Sequence, residues 1–162
     1  MKIIISESQL KEIINNYEDE IDNVNNKIRN RAIKELNSLV KVTKPGKYKL
    51  YRGSSDGNEN SGRGIYANGI HYSNDPSTSF DFGESYVFNV TIKNPLIIKS
   101  FDIRKYGRNP QEITEMLLDM GYDTLVIVHE KRITVRGVDD YEESIPYEEH
   151  EVIKLNDNIP NT

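Results

Sequence analysis

Three separated segments of this chain carry the side chains best suited to chemistry. The first is Tyr51-Arg52-Gly53, an arginine at the end of a short strand, followed by a glycine that lets a ligand or another chain approach closely. The planar guanidinium fork suits bidentate binding of a phosphate. The second segment runs Gly69-Ile70-His71-Tyr72-Ser73-Asn74-Asp75-Pro76, followed by Phe80 and Phe82-Gly83. It reads as a strand ending in the Ser73 hydroxyl, a turn at Asp75-Pro76 and a short piece closed by Phe82-Gly83. The third is Glu149-His150-Glu151-Val152-Ile153, where two carboxylates two residues apart lead a strand. Residues i and i+2 of a strand project from one face, so Glu149 and Glu151 look into one cleft. Each segment alone has a plain alternative. Arg52 reads as a surface charge, Tyr72-Ser73-Asn74 as an ordinary turn, and the tract with Glu142, Glu143 and Glu148 as a solvated acidic face.

Other chemistries lack their residues. With no cysteine there is no disulfide framework, thiolate metal site or cysteine nucleophile. His71, His129 and His150 are too far apart for ligand spacing, so no metal is expected. Gly57, Gly62, Gly64 and Gly69 lack the lysine and serine of a Walker loop, and Gly62-Arg63-Gly64 lacks the third glycine of a dinucleotide fold. A flexible loop beside a site is the better account of them.

These segments need a frame. The 162 residues suffice for one domain and an attached helix, and 36% hydrophobic with 29% charged residues describes a soluble protein with a modest core. A net charge of -5 argues against general affinity for nucleic acid. Met1 to Ile5 is too short and too mixed for a targeting segment, and no run approaches the roughly 20 apolar residues that span a bilayer. The cytosol of the producing or receiving cell is the expected location.

The chain divides near Thr43-Lys44-Pro45-Gly46 into a helical region, 1–43, and a domain, 44–162. Ser6-Glu7-Ser8-Gln9 predicts a capping box. Leu10, Ile14, Tyr17, Ile21, Val24 and Ile28 then form a helical stripe, and Ala32, Ile33, Leu36, Leu39 and Val40 continue it. The stripe packs on the domain that follows or, over residues 10–40, seats a partner helix or a second copy. Asn15-Asn16 and Asn25-Asn26 count against one long rod. Beyond Pro45, strands are predicted around Tyr48–Tyr51, Tyr86–Ile92, Leu96–Ile98, Thr124–Val128, Arg132–Arg136 and Glu151–Leu155. A helix starts at Asn109-Pro110-Gln111-Glu112 and stops at Gly121. Many strands with little βαβ alternation make the fold class α+β.

From Tyr48 to Ile159 this arrangement resembles the ADP-ribosyltransferase superfamily, in its arginine–serine–glutamate class. Arg52 matches the NAD-binding arginine of the first strand, and Tyr72-Ser73 the aromatic-Ser/Thr motif after a glycine. Phe82-Gly83, Asn94-Pro95-Leu96 and Gly121-Tyr122-Asp123 match further segments of bacterial and phage members, while Glu151 and Ile159 match the closing glutamate strand. The best-defined members have Ser-Thr-Ser where this chain has Tyr72-Ser73-Asn74. The resemblance implies a split β-sandwich with flanking helices, preceded by the N-terminal helical region. It implies a mono-ADP-ribosyltransferase using NAD as substrate and a protein acceptor.

The roles follow from the same resemblance. Glu151 would stabilise the positive charge that builds on the ribose as nicotinamide leaves, the problem also posed by glycoside cleavage. Ser73 would orient Glu151 or touch that ribose, and Arg52, with Gly53 beside it, would grip the phosphates. Tyr72 or Phe82 would stack on the nicotinamide or else pack in the core, and core packing is the expectation for Phe80. Glu149 would activate the acceptor, and its spacing from Glu151 is similar to that of members that modify arginine. Water in place of the acceptor makes the same site an NAD hydrolase. The reading from a different class is a catalytically idle fold, a virion or assembly module docked through its N-terminal helix.

Overall fold

Helix α1 (Glu7–Asn37) begins where the capping box predicts. The Gln9 amide donates to Ser6 Oγ at 3.2 Å and the Ser6 amide to Gln9 Oε1 at 3.0 Å, pairing two amides that a helix start leaves open. The asparagine pairs do not interrupt the rod, contrary to what their propensity suggests. Buried Asn25 is bonded twice, accepting from the Val138 amide at 2.9 Å and donating to the Val138 carbonyl at 3.2 Å. Two such bonds, about 1 kcal/mol each, outweigh a propensity deficit of roughly 0.7 kcal/mol.

The structure, a computed structural model, describes residues 6–54, 57–59, 61–79 and 83–158. By contact the chain forms two compact units, Met1–Ser38 with Arg132–Tyr147, and Leu39–Lys131 with Glu148–Thr162. In the first, α1 meets a tight turn whose central residues, Asp139 and Asp140, have φ of 57° and 58°. Two left-handed residues in succession are the mark of a type I′ hairpin turn, and aspartate tolerates that region. Gly137 is required beside it, since a Cβ there would lie 2.1 Å from Asn25 Oδ1. One helical turn on, Arg29 pairs with Glu143 at 2.8 Å.

The second unit holds the strands β1 (Gly46–Ser54), β2 (Gly69–Ser73), β3 (Glu84–Ile92) and β4 (Pro95–Lys99). With β5 (Thr124–Arg136) and β6 (Glu142–Leu155) they make one six-stranded mixed sheet, ordered β3-β1-β2-β6-β5-β4. The α+β class therefore stands. β5 runs unbroken where two separate strands are predicted, and β6 starts at Glu142, well before Glu151. The stretch that reads as a solvated acidic link is strand because Glu143 and Glu149 find basic partners, Arg29 and Lys131.

Pairing along the sheet is uneven. β1 pairs with β3 all the way from Gly46↔Ile92 to Ser54↔Glu84, and β2 with β6 from Gly69↔Leu155 to Ser73↔Glu151, both antiparallel. Between β1 and β2 a single pair, Tyr51↔Ser73, is in register. The sheet thus has a seam, where two well-paired blocks are joined by a single ladder pair.

One face of the sheet buries Leu50, Tyr72, Val90, Val126 and Val152 with Ile97, so every strand contributes. No helical residue belongs to this cluster among the described residues. The other face carries Leu125, Ile127 and Ile153 under Ile103 of a 3-10 helix (Ser100–Tyr106) and under Ile113 and Leu117 of a later helix. A four-residue helix, α2 (Pro76–Ser79), follows β2. The later helix, α3 (Pro110–Asp119), is capped by Asn109, whose side chain accepts from the Glu112 amide at 2.9 Å, and ends before Gly121 at φ +90°. Among the described residues no helix is long and apolar enough to cross a membrane.

Candidate active site

The cleft opens at the seam. Arg52, one position past Tyr51, bridges the parting strands by donating from Nη1 to the His71 carbonyl at 3.0 Å, and from Nε to the Asn58 carbonyl at 3.3 Å. Around this bridge lies a cavity of about 520 Å3. Arg52 and Gly53 of β1, Tyr72 and Ser73 of β2, and Glu149 and Glu151 of β6 all line it. Phe82, along with Phe80 and Ile159, lies outside the described residues.

The register explains how distant segments converge. Tyr51, Ser73 and Glu151 are cross-strand neighbours in one row, so Ser73 and Glu151 project from the same face. Asn74 carries the β2–β6 contact one residue further. Its side chain accepts from the His150 amide at 2.8 Å and donates to the Val40 carbonyl at 2.8 Å, and its amide donates to the His150 carbonyl at 3.2 Å. Asn74 therefore pins the residue lying between the two glutamates. A one-residue slip would turn both carboxylates to the opposite face.

The two carboxylates differ in surroundings. Glu149 is 3% exposed, accepts from the Thr78 hydroxyl at 2.7 Å and forms an ion pair with Lys131. A buried carboxylate requires such partners, because an unpaired charge out of water is costly. The Glu151 side chain is 27% exposed and lies 3.7 Å from His129 Nε2. The Ser73 hydroxyl accepts from the Asp75 amide at 3.0 Å, which fixes its position at the strand end.

His71 stands on the same face as Ser73, and its Nε2 is buried without a hydrogen-bond partner. Burial lowers its pKa, the Glu151 carboxylate opposes that shift, and the Arg52 guanidinium adds to it. The glycine-rich loop closes over this imidazole. A Cβ on Gly64 would sit 2.3 Å from His71 Cε1, so only glycine allows the approach, and Gly62 exchanges two backbone hydrogen bonds with Gly69. Tyr72 is a core residue whose ring meets Phe88 edge-on at 6.1 Å and whose hydroxyl donates to Glu59. Burial and then the Glu59 carboxylate push its phenol pKa up.

His71 and Thr78 also line the cavity, and His129 and Lys131 pair with its two carboxylates; none of the four stands out in the linear motifs. His71 was within reach, being two residues before Ser73 on one strand. The others depend on how β5 and α2 meet β6, which no local pattern encodes. A guanidinium beside a split strand pair, and a hydroxyl in line with a half-open carboxylate, can together hold an anionic ligand and stabilise positive charge forming next to Glu151. Comparison with protein-family models, with curated proteins and with solved structures yields no match to this chain.

Proposed function

We propose that this chain is an NAD-dependent mono-ADP-ribosyltransferase that cleaves nicotinamide from NAD and transfers the ADP-ribosyl group to a protein side chain, arginine by preference. The observation that carries this reading is the row Tyr51–Ser73–Glu151 meeting Arg52 at the seam of the sheet, in one cleft. The division of the sheet at that seam supports the finer description of the fold, a split β-sandwich of the ADP-ribosyltransferase kind. The cavity also falls within the roughly 300–1,000 Å3 typical of ligand sites, and two guanidiniums, Arg52 and Arg63, border it beside the two carboxylates. That mixture suits a ligand with an anionic pyrophosphate and a ribose that becomes cationic.

In this mechanism Arg52 holds the pyrophosphate and Glu151 faces the nicotinamide ribose. The bond from ribose C1′ to the nicotinamide nitrogen breaks, and its electron pair leaves with nicotinamide. Glu151 stabilises the charge left on the ribose, which a nucleophile then captures. Glu149 accepts the proton that the nucleophile loses. In an assay with labelled NAD, Glu151→Gln lowers nicotinamide release by about 10²–10³-fold, the scale seen when one group aimed at transition-state charge is removed. Glu149→Gln keeps nicotinamide release and loses transfer to an arginine acceptor. Wild-type protein that neither releases nicotinamide nor gains thermal stability from NAD would refute the proposal.

A second reading rests on α1. Leu10, Ile14 and Tyr17 are 49%, 45% and 62% exposed on one stripe, which favours an association role for this helix in a catalytically idle chain. Absence of NAD binding, together with self-association by sedimentation that Ile14→Asn abolishes, would favour it.

A further inference from the structure

Glu149, the carboxylate placed above at the acceptor, already has a cation. His129 pairs with Glu151 and Lys131 with Glu149, so two residues of β5 two apart meet two residues of β6 two apart. Both pairs therefore lie on one face of this strand pair. The Lys131 side chain is 39% exposed and that of Glu149 only 4%, so the ammonium reaches a buried carboxylate from the solvent side. Of the pair, Lys131 is the partner that can withdraw into water at little cost. Glu149 cannot, and left behind it would be a buried charge bonded only to Thr78.

We propose that Lys131 is a specificity-determining residue of the acceptor site, an internal cation that any acceptor must displace to reach Glu149. This rests on the transferase reading given above. A neutral nucleophile cannot displace it, because Glu149 would lose its counter-charge. A lysine acceptor offers the same group that is already there. A guanidinium brings the charge and five donors in a planar fork, enough to replace the Lys131 ammonium and engage both carboxylate oxygens. The acceptor class selected is thus a guanidinium, and Lys131 sets the division between transfer and hydrolysis. While Lys131 holds Glu149, water is the nucleophile with access to the ribose. When a guanidinium takes its place, Glu149 accepts the proton lost as the new C–N bond forms.

The test uses full-length protein, labelled NAD and agmatine as a small guanidinium acceptor, with Lys131→Met and Lys131→Arg compared with wild type. The expected result is a KM for agmatine about tenfold lower in Lys131→Met, equivalent to about 1.4 kcal/mol, and a higher ratio of modified agmatine to hydrolysed NAD. Lys131→Arg, a stronger internal competitor, raises that KM. A merely structural role for Lys131 predicts loss of both reactions instead. If Lys131→Met fails to fold by thermal melting, Lys131→Gln replaces it, since its amide can still bond Glu149 without charge. Nicotinamide release with an unchanged or higher KM for agmatine overturns this inference alone. No release by wild type overturns it together with the transferase reading.

Discussion

A half-buried histidine beside a carboxylate and a guanidinium titrates as a compromise among the three. At His71 the loss of water dominates, and the Arg52 charge reinforces it against the pull of Glu151. Its folded-state pKa thus lies below the ordinary 6.5. Between that lowered value and 6.5 the unfolded chain holds more protons than the folded one, so stability rises with pH through the window and is lost as pH falls. The contribution is complete above the unfolded value. The melting temperature is therefore expected to drop from about pH 7.5 to about pH 5, and His71→Gln to make that drop smaller. An equal drop in both proteins would show that His71 takes no part. A neutral His71 also leaves the charge of Glu151 uncancelled, as the proposed mechanism requires.

At the scale of elements, Asn74 is the fastening that sets β6 against β2. It is buried, with three polar contacts to His150 and Val40, so Asn74→Ala leaves buried groups unpaired. The expected cost is about 1–3 kcal/mol in denaturant unfolding, with NAD turnover falling further than stability because both glutamates depend on this register. Turnover unchanged at full folding would mean that the register is held elsewhere. The departure from Ser-Thr-Ser at this position thus has a structural use, one that the linear motif could not disclose. What the sequence did disclose were elements whose signals are local. The Ser6–Gln9 box and the Asn109 cap act within one helical turn, and both are found where their residues stand. The β5–β6 hairpin escaped because its turn is Val138-Asp139-Asp140-Tyr141 rather than an asparagine–glycine pair. The early start of β6 escaped in part because Glu143 is paired with Arg29, 114 residues away in the chain.

For the molecule as a whole, order is unevenly distributed. Every residue from Glu7 to Val24 is exposed except half-buried Ile21, whereas Leu125, Val126 and Ile127 are fully buried in the sheet. Helical hydrogen bonds without tertiary cover open readily. In hydrogen exchange, amides of residues 7–24 are expected to exchange at least about a hundredfold faster than those of residues 125–127. Equal protection would mean that a partner, or a second copy, covers the stripe in solution. The convergence of Arg52, Ser73 and Glu151 was legible from their order along the chain. The cavity that holds them was not, because it opens at a seam between two strand blocks, and the pairing that makes the seam joins residues far apart in the chain.

The seam also bears on the order in which the site comes into being. β1 and β3 are near one another in sequence and can pair early, but β2 must wait for β6, which arrives from the far end of the domain. Until that last, longest-range pairing closes, Ser73 has no Glu151 across from it and Arg52 borders no cavity. On refolding, secondary structure is then expected to return before activity. A chain still emerging from the ribosome would lack the cleft until β6 is in place, so ligand binding at this site can begin only after the whole domain has left the ribosome.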